Sequence, residues 1–195
     1  MTPLPAAAFD QLFFNAHSFG KYLPRDVDEA LLRRLADTLK LGPTSYNSCP
    51  ARFVFIKSAA GKERLRPHLS PGNVDKTMAA PVCAIVAADF AFNEQLPKLG
   101  LAPGKADPFA GAAAAVERTA RQNATLQGGY MILAARALGL DCGPMGGFDA
   151  AGVNTEFLAG AQWRAQFLCN LGYADRSLSR ARGPRLAFED FCTVV

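Results

Sequence analysis

The sequence is short of charge, histidine and long apolar runs, and each shortage disfavours a class of function. Charged residues make up 19% of the 195 positions and hydrophobic residues 50%, whereas about 25% charged residues is usual for a soluble domain. This composition excludes intrinsic disorder, which requires low hydrophobicity and high net charge. The formal net charge of +4 is not gathered into a basic block, so we expect no nucleic-acid partner.

Membrane, metal and disulfide-stabilised proteins are disfavoured as well. No uninterrupted apolar run approaches the roughly 20 residues that cross a bilayer, and residues 1–10 lack the basic start and apolar core of a signal peptide. The five cysteines are widely spaced without a C-x-x-C pair, and there are only two histidines. We therefore expect a cytoplasmic protein without a metal, whose cysteines are small buried side chains.

The apolar pattern predicts a single α+β domain over residues 1–195. Helices are expected over residues 26–41, 62–69 and 109–138, and strands over 52–57, 81–88 and 165–173. Pro71-Gly72 is typical of a turn, and the Arg-rich sequence from about residue 175 predicts an extended arm. Gly128 and Gly129 interrupt the longest helix and predict close packing there, within the chain or against a second copy.

Three polar segments in apolar surroundings are the candidate functional regions. Residues 42–50 carry hydroxyl and amide groups that could hydrogen-bond a planar heterocycle or a sugar chain. In residues 72–81, Asn73 and Lys76 are spaced to share one face of a helix. Residues 143–149 form a glycine-rich stretch whose backbone N–H groups could approach a ligand. Taken singly, each segment is also typical of an ordinary loop or a solvated helix face.

The usual catalytic motifs are absent from the sequence. It contains no G-x-G-x-x-G, G-x-x-x-x-G-K-[ST], H-E-x-x-H or G-x-S-x-G pattern, and paired carboxylates are not clustered in it. An enzyme with this composition would depend on a cofactor for its chemistry.

Taken in order, the polar segments resemble the FMN-dependent nitroreductase family. Members typically carry Arg-His-Ser, Pro-Ser-Ser-x-Asn-Ser-Gln-Pro-Trp, Asn-x-x-Lys, Pro-x-Glu-Gly-Phe and a C-terminal Lys-x-Arg. The corresponding segments here are Ala16 to Ser18, Pro43 to Ala51, Asn73 to Lys76, Pro144 to Phe148, and Arg180 to Arg182. The match extends over roughly residues 12–191. A narrower similarity, to the malonic semialdehyde reductase branch, is found in residues 42–45, 50–55, 61–67, 137–140 with 143–145, and 184–186.

The resemblance implies a three-layer fold, a mostly antiparallel sheet between helices, and a homodimer whose C-terminal arm embraces the partner subunit. It also implies an NAD(P)H oxidoreductase in which FMN accepts hydride at N5 and passes it, in ping-pong order, to a small acceptor. In the similar branch that acceptor is malonic semialdehyde, which becomes 3-hydroxypropanoate. No catalytic acid or base is implied. A generalist nitroarene or quinone reductase and a flavin-binding protein without turnover stay open as alternatives.

The resemblance further assigns cofactor-binding residues. The FMN phosphate is expected at His17, Ser18, Arg180 and Arg182. The flavin is expected to be lined, across a dimer interface from the phosphate, by Pro43, Thr44, Ser45 and Asn47. The pyrimidine ring would be faced by Asn73 and by Lys76, the cation that tunes the flavin, and N5 by the backbone of Gly146 and Gly147.

The chain departs from the family pattern in ways that affect this site. Ala16 replaces an arginine that contacts the phosphate, and Lys21 and Arg185 are the candidate replacements. Further departures are Gly20 for lysine, Cys49 for glutamine, Ala51 for tryptophan and Gly146 for glutamate.

Overall fold

The structure is a computed structural model that describes residues 2–100, 107–178 and 181–195. Its antiparallel sheet has the spatial order β1-β2-β4-β3 and consists of β1 (Ala51–Ile56), β2 (Val82–Asp89), β3 (Asp141–Met145) and β4 (Trp163–Gly172). The helices are α1 (Ala6–Phe9), α2 (Glu29–Leu39), α3 (Ala59–Leu65), α4 (Pro71–Ala79), α5 (Ala113–Ala137), α6 (Ala150–Phe157) and α7 (Phe188–Phe191). A π-helical turn spans residues 10–14, and 3₁₀ turns span 45–47, 66–68, 92–99 and 176–178.

Strand β2 is buried along its whole length and separates two cores. Successive side chains of a strand point to opposite faces, and those of β2 enter different clusters. Val82, Ala84 and Val86 pack with α2 and α5, whereas Cys83, Ile85 and Ala87 pack with residues of α3 and α6. The continuous apolar run of this strand therefore requires helices on both faces, and the expected α+β arrangement of helices around an antiparallel sheet is confirmed.

The two longest predicted helices are present, and their packing has local causes. Asp28 precedes α2, and its carboxylate accepts a hydrogen bond from the Leu31 N–H at 2.6 Å, which caps the helix. In α5, a Cβ on Gly128 would lie 2.5 Å from the Phe167 ring, so glycine lets the helix approach the sheet of its own chain. A Cβ on Gly129 would meet no atom within 4 Å.

Several boundaries differ from the sequence-based expectations. Pro71-Gly72 is not an isolated turn but the start of α4, because the fixed φ of proline also suits the first turn of a helix. Residues 143–145 were expected in a loop but belong to β3, where pairing with β4 outweighs the low strand propensity of glycine and proline. Residues 109–112 form turns ahead of α5 instead of its first turn, and α6 was not predicted.

The cysteines are free, and three of the five are buried. Burial raises the pKa of the Cys83 thiol to about 12. The pKa values of Cys169 and of the Tyr22 hydroxyl are raised as well, by a hydrogen bond with Cys142 and by burial respectively. In the part of the chain that the structure describes, no helix is both long and apolar enough to cross a bilayer.

Raising the pH from 8 to 10.5 is expected to lower the free energy of unfolding, and less so in Cys83→Ala. An unfolded thiol releases its proton near pH 8.5, while folded Cys83 keeps its proton up to pH about 12. Between these values Cys83 costs the folded state about 1.4 kcal/mol per pH unit. Denaturant titrations across this range measure the slope. Cys192→Ala is the control, because Cys192 is partly exposed. Equal slopes of unfolding free energy against pH for wild type and Cys83→Ala would contradict the raised pKa of Cys83.

Candidate functional site

A basic cavity lies between the N-terminal segment, the end of α5 and the C-terminal segment. Its volume is about 860 Å³, and its polar lining includes His17, Ser18, Lys21, Arg136, Arg182 and Arg185. Three of the expected phosphate residues thus meet here, as do both candidate replacements for the missing arginine. Arg180 lies outside the described residues. A single carboxylate of the lining, that of Asp175, accepts hydrogen bonds from Ser177.

The N-terminal side of this cavity is held against the sheet. Ser18 forms a parallel bridge with Cys142 of β3, and Tyr22 forms an antiparallel bridge with Ala174. The buried carboxylate of Asp141 accepts a hydrogen bond from the Ala174 N–H at 2.9 Å and pairs with Arg176 at 2.6 Å. His17 and Ser18 are consequently placed beside the first residues of β3.

Two arginines of the lining also stabilise the helical N-terminal segment. Arg182 Nη2 donates to the carbonyl oxygens of Phe13, Phe14 and Ala16 at 2.7, 3.0 and 2.7 Å. Arg136 Nη1 donates to the carbonyl oxygen of Leu12 at 2.9 Å, across 124 positions of sequence. Because the carbonyls at the end of a helix have no partner within it, these guanidinium groups satisfy them. Arg136 was missed by sequence reasoning, since no local pattern links it to the N-terminus.

A second cluster lies where β3 ends and α4 passes. Asn73 is buried, and its Nδ2 donates to the carbonyl oxygen of Gly147 at 2.6 Å, as does the Ser70 N–H at 3.1 Å. Lys76 follows one turn later on α4 and is partly exposed. Its ammonium has no hydrogen-bond or ion-pair partner among the residues that the structure describes. The structure therefore brings Asn73 and the Gly147 backbone into contact, and places Lys76 one turn further along the same helix.

Helix α4 is anchored at its far end by a buried lysine. The ammonium of Lys62 donates to the carbonyl oxygens of Met78 and Ala80, where α4 stops. Burial lowers the pKa of Lys62. On the inner face of α4, the Thr77 hydroxyl accepts from Asn170 Nδ2 at 3.2 Å and contacts the sulfur of Met145 at 3.6 Å.

The basic cavity and the α4 cluster lie at opposite ends of β3. Ser18 pairs with Cys142, and Gly146 follows four residues further along the chain. At about 3.3 Å per residue of strand, this separation is roughly 13 Å. The two clusters thus suit the two ends of one elongated ligand with an anionic tail.

The remaining expected residues, Pro43, Thr44, Ser45 and Asn47, lie elsewhere. They belong to the loop between α2 and β1, where the Ser45 N–H donates to Asn123 Oδ1 at 2.8 Å. Asn123 and Arg136 both belong to α5, and a rise of 1.5 Å per residue separates them by about 20 Å. Moreover, β1 and β3 are opposite edges of the sheet. Within one chain, the loop between α2 and β1 therefore lies far from the basic cavity.

The comparison with protein families decides the classification. The model of the nitroreductase family matches residues 15–173. The chain belongs to the nitroreductase family.

Relatives and solved structures agree with this membership. A Ralstonia nicotianae protein named "Putative NADH dehydrogenase/NAD(P)H nitroreductase" is 52% identical over 195 residues, which cover 100% of both chains. A Stutzerimonas stutzeri protein with the same name is 48% identical over 193 residues, covering 99% of this chain and 98% of that one. The crystal structure of an Exiguobacterium sibiricum nitroreductase in complex with FMN superposes with a TM-score of 0.84 at 21% identity over 100% of both chains. These matches confirm the nitroreductase-like fold.

Gly147→Ala is expected to destabilise the nitroreductase fold, and Gly146→Ala is its matched control. A Cβ on Gly147 would lie 2.8 Å from Asn73 Nδ2 and 3.1 Å from Ser70 Oγ, whereas one on Gly146 would meet no atom within 4 Å. Overpacking of this kind costs about 1–3 kcal/mol, which lowers Tm by roughly 2–12 °C in a chain of this length. Thermal denaturation of both variants tests this, and an equal Tm for the two contradicts the packing argument.

Proposed function

We propose that this nitroreductase-family chain binds FMN and transfers hydride from NAD(P)H to a small acceptor. The observation that carries the proposal is the pair of clusters along β3: a basic cavity of about 860 Å³ at one end, and Asn73, Lys76 and a glycine backbone at the other. FMN has the matching polarity, with a phosphate dianion at one end and a hydrogen-bonding heterocycle at the other. Names of close relatives, which include NADH dehydrogenase and NAD(P)H nitroreductase, support the choice of electron donor.

The donor groups present fit this cofactor. Cationic and hydroxyl side chains are the groups that bind phosphate, and His17, Ser18 and Arg182 would hold it, together with Arg180. Lys21, Arg136 and Arg185 line the same cavity and would compensate for Ala16. Asn73 and Lys76 would face the pyrimidine edge of the flavin, and Gly146-Gly147 would let the backbone approach its N5. When bound, FMN supplies the hydride acceptor and donor site that the side chains lack.

We further propose that the site is completed by a second copy of the chain. Pro43, Thr44, Ser45 and Asn47 would line the flavin whose phosphate is held by the other subunit, because these clusters lie far apart within one chain. Exposed apolar side chains supply a surface for such a homodimer: Leu126 and Tyr130 on α5, and Leu186, Phe188 and Phe191 in the arm. Patches of this kind commonly mark interaction surfaces.

For the acceptor we propose malonic semialdehyde, which would be reduced to 3-hydroxypropanoate. Support comes from the resemblance to reductases of that substrate in residues 42–45, 50–55, 61–67, 137–140 with 143–145, and 184–186. The alternative is a generalist that reduces nitroarenes or quinones, which the printed names of the relatives favour. Measuring kcat/KM for malonic semialdehyde, a nitrofuran and a quinone distinguishes the specific reductase from the generalist. If the proposal is correct, the value for malonic semialdehyde is the highest of the three.

The cofactor proposal is tested by titrating apoprotein with FMN and recording the visible spectrum. The bound flavin should bleach with NADH or NADPH in the absence of oxygen and recover its colour when an acceptor is added. Light scattering should give a dimer with one FMN per subunit. No FMN binding contradicts the proposal, and binding without bleaching indicates a flavin-binding protein without turnover.

Lys76→Ala should lower the midpoint potential of bound FMN and slow its reduction by NAD(P)H. The ammonium would stabilise negative charge that appears in the pyrimidine ring on reduction, which is stabilisation of the product over the starting state. A tenfold effect on this equilibrium corresponds to roughly 30 mV for a two-electron couple. Redox titration and stopped-flow reduction measure both quantities, with Lys76→Arg expected to restore much of the potential. Unchanged values for Lys76→Ala remove the residue from this role.

Arg182→Ala should instead weaken FMN binding by roughly ten- to a hundredfold, since one charge-assisted contact contributes about 1.5–3 kcal/mol. Fluorescence titration of the apoprotein gives the dissociation constant. Arg34→Ala, on the exposed face of α2, is the control for loss of a positive charge. If Arg182→Ala binds FMN as tightly as the control, the phosphate site is wrongly assigned.

A further inference from the structure

The loop that would line the flavin has an unusual backbone. Tyr46, Asn47 and Cys49 have φ values of 55°, 52° and 41°, in the left-handed region that residues with a Cβ rarely adopt. Such conformations persist only where the surrounding structure determines them more strongly than local preference does. The groups that hold this loop are therefore of functional interest.

Two buried amides of α5 bind the loop on either side of these residues. Asn123 Oδ1 accepts from the Ser45 N–H at 2.8 Å, and Gln127 Oε1 accepts from the Ala51 N–H at 2.9 Å. The side chains are only 6% and 3% exposed, and a spacing of four places them on one face of the helix. Asn123 Nδ2 donates to the Thr119 carbonyl at 2.9 Å, which fixes the orientation of that amide.

Further contacts hold the ends of the loop. Gly42 lies on the Tyr130 ring of α5, so closely that a Cβ there would be 2.6 Å from the ring. At the other end, Arg52 Nη1 donates to the Cys49 carbonyl at 2.9 Å, and its Nη2 pairs with the buried Asp89 at 2.6 Å. Two successive turns of α5 and one partly buried ion pair thus enclose the strained segment.

The buried amides of Asn123 and Gln127 would destabilise the fold if residues 45–51 did not supply their hydrogen-bond donors. Asparagine is a weak helix former, and a buried amide is unfavourable without a hydrogen-bond partner. Their oxygen atoms accept from backbone N–H groups, one in the loop and one at the first residue of β1, and not from other core side chains. An apolar residue at either position would pack in the core and leave that backbone N–H unsatisfied.

We infer that Asn123 and Gln127 are positioning residues that set the conformation in which the 43–49 loop receives the flavin. The inference rests on the proposed function for the identity of the ligand. The same helix also exposes Leu126, Gly129 and Tyr130, which the proposed homodimer would cover. Helix α5 therefore joins the subunit contact to the flavin-lining loop as one rigid element.

The test compares Gln127→Met, which has a similar volume but no amide oxygen, with Gln127→Glu, which keeps an acceptor oxygen. Gln122→Met is the matched control, because it makes the same change at an exposed position of α5. Three measurements are made: hydrogen exchange of the Ala51 amide in the apoprotein, the dissociation constant for FMN, and the visible circular dichroism of flavin at saturation.

In Gln127→Met we expect at least tenfold faster exchange of the Ala51 amide, at least tenfold weaker FMN binding and an altered dichroism band. Gln127→Glu should restore most of the affinity and the band, and Gln122→Met should match wild type. Asn123→Leu, monitored at the Ser45 amide, is the second variant if Gln127→Met does not fold, and the same losses are expected.

Wild-type affinity and dichroism in these variants, together with a lowered Tm, would show a purely structural role and overturn the inference. Failure of wild type itself to bind FMN is a different result, because it overturns the proposed function. Exchange of Ser45 and Ala51 still reports in that case whether the two amides hold the loop.

Discussion

The complete burial of β2 is the constraint on which the rest of the architecture depends. Its side chains enter two separate cores, one against α2 and α5 and the other against α3 and α6. A strand that is apolar on both faces is stable only between two covering layers. Because β4 pairs with β2 in the middle of the sheet, β1 and β3 become the edges, and the candidate segments attached to them are separated.

That separation explains why the candidate residues fall into two groups. The N-terminal segment is bridged to β3, so His17 and Ser18 share an edge with Asn73, Lys76 and Gly147. The 43–49 loop precedes β1 and lies along α5. If the flavin requires both groups, as proposed, its site would be assembled from two copies of the chain. Within one chain, α5 extends from the 43–49 loop to the basic cavity.

Basic side chains around the cavity stabilise the fold, in addition to the phosphate-binding role proposed for them. Arg182 and Arg136 satisfy carbonyl oxygens at the end of the N-terminal helical segment, at the position where Ala16 has replaced an arginine typical of the family. Ala16 itself is buried, and its backbone carbonyl accepts a hydrogen bond from Arg182. The Arg-His-Ser motif has thus lost one guanidinium group, while basic side chains from distant parts of the chain line the same cavity. One of them, Arg136, lies outside the family motifs quoted above.

The sequence by itself determined the elements whose signals are local. The apolar run of β2, the capped amphipathic α2 and the ordered motifs of the family were readable because each depends on neighbours in sequence. The start of α4 was mistaken for a turn because proline has the same φ in both, and β3 was missed because its glycine and proline are stabilised only by pairing with β4. Tertiary structure alone decided that Arg136 lines the basic cavity and that Asn123 and Gln127 hold the 43–49 loop and the start of β1. The partners of these side chains are tens of residues away or more, and a hydrogen bond across that distance leaves no periodic pattern in the sequence.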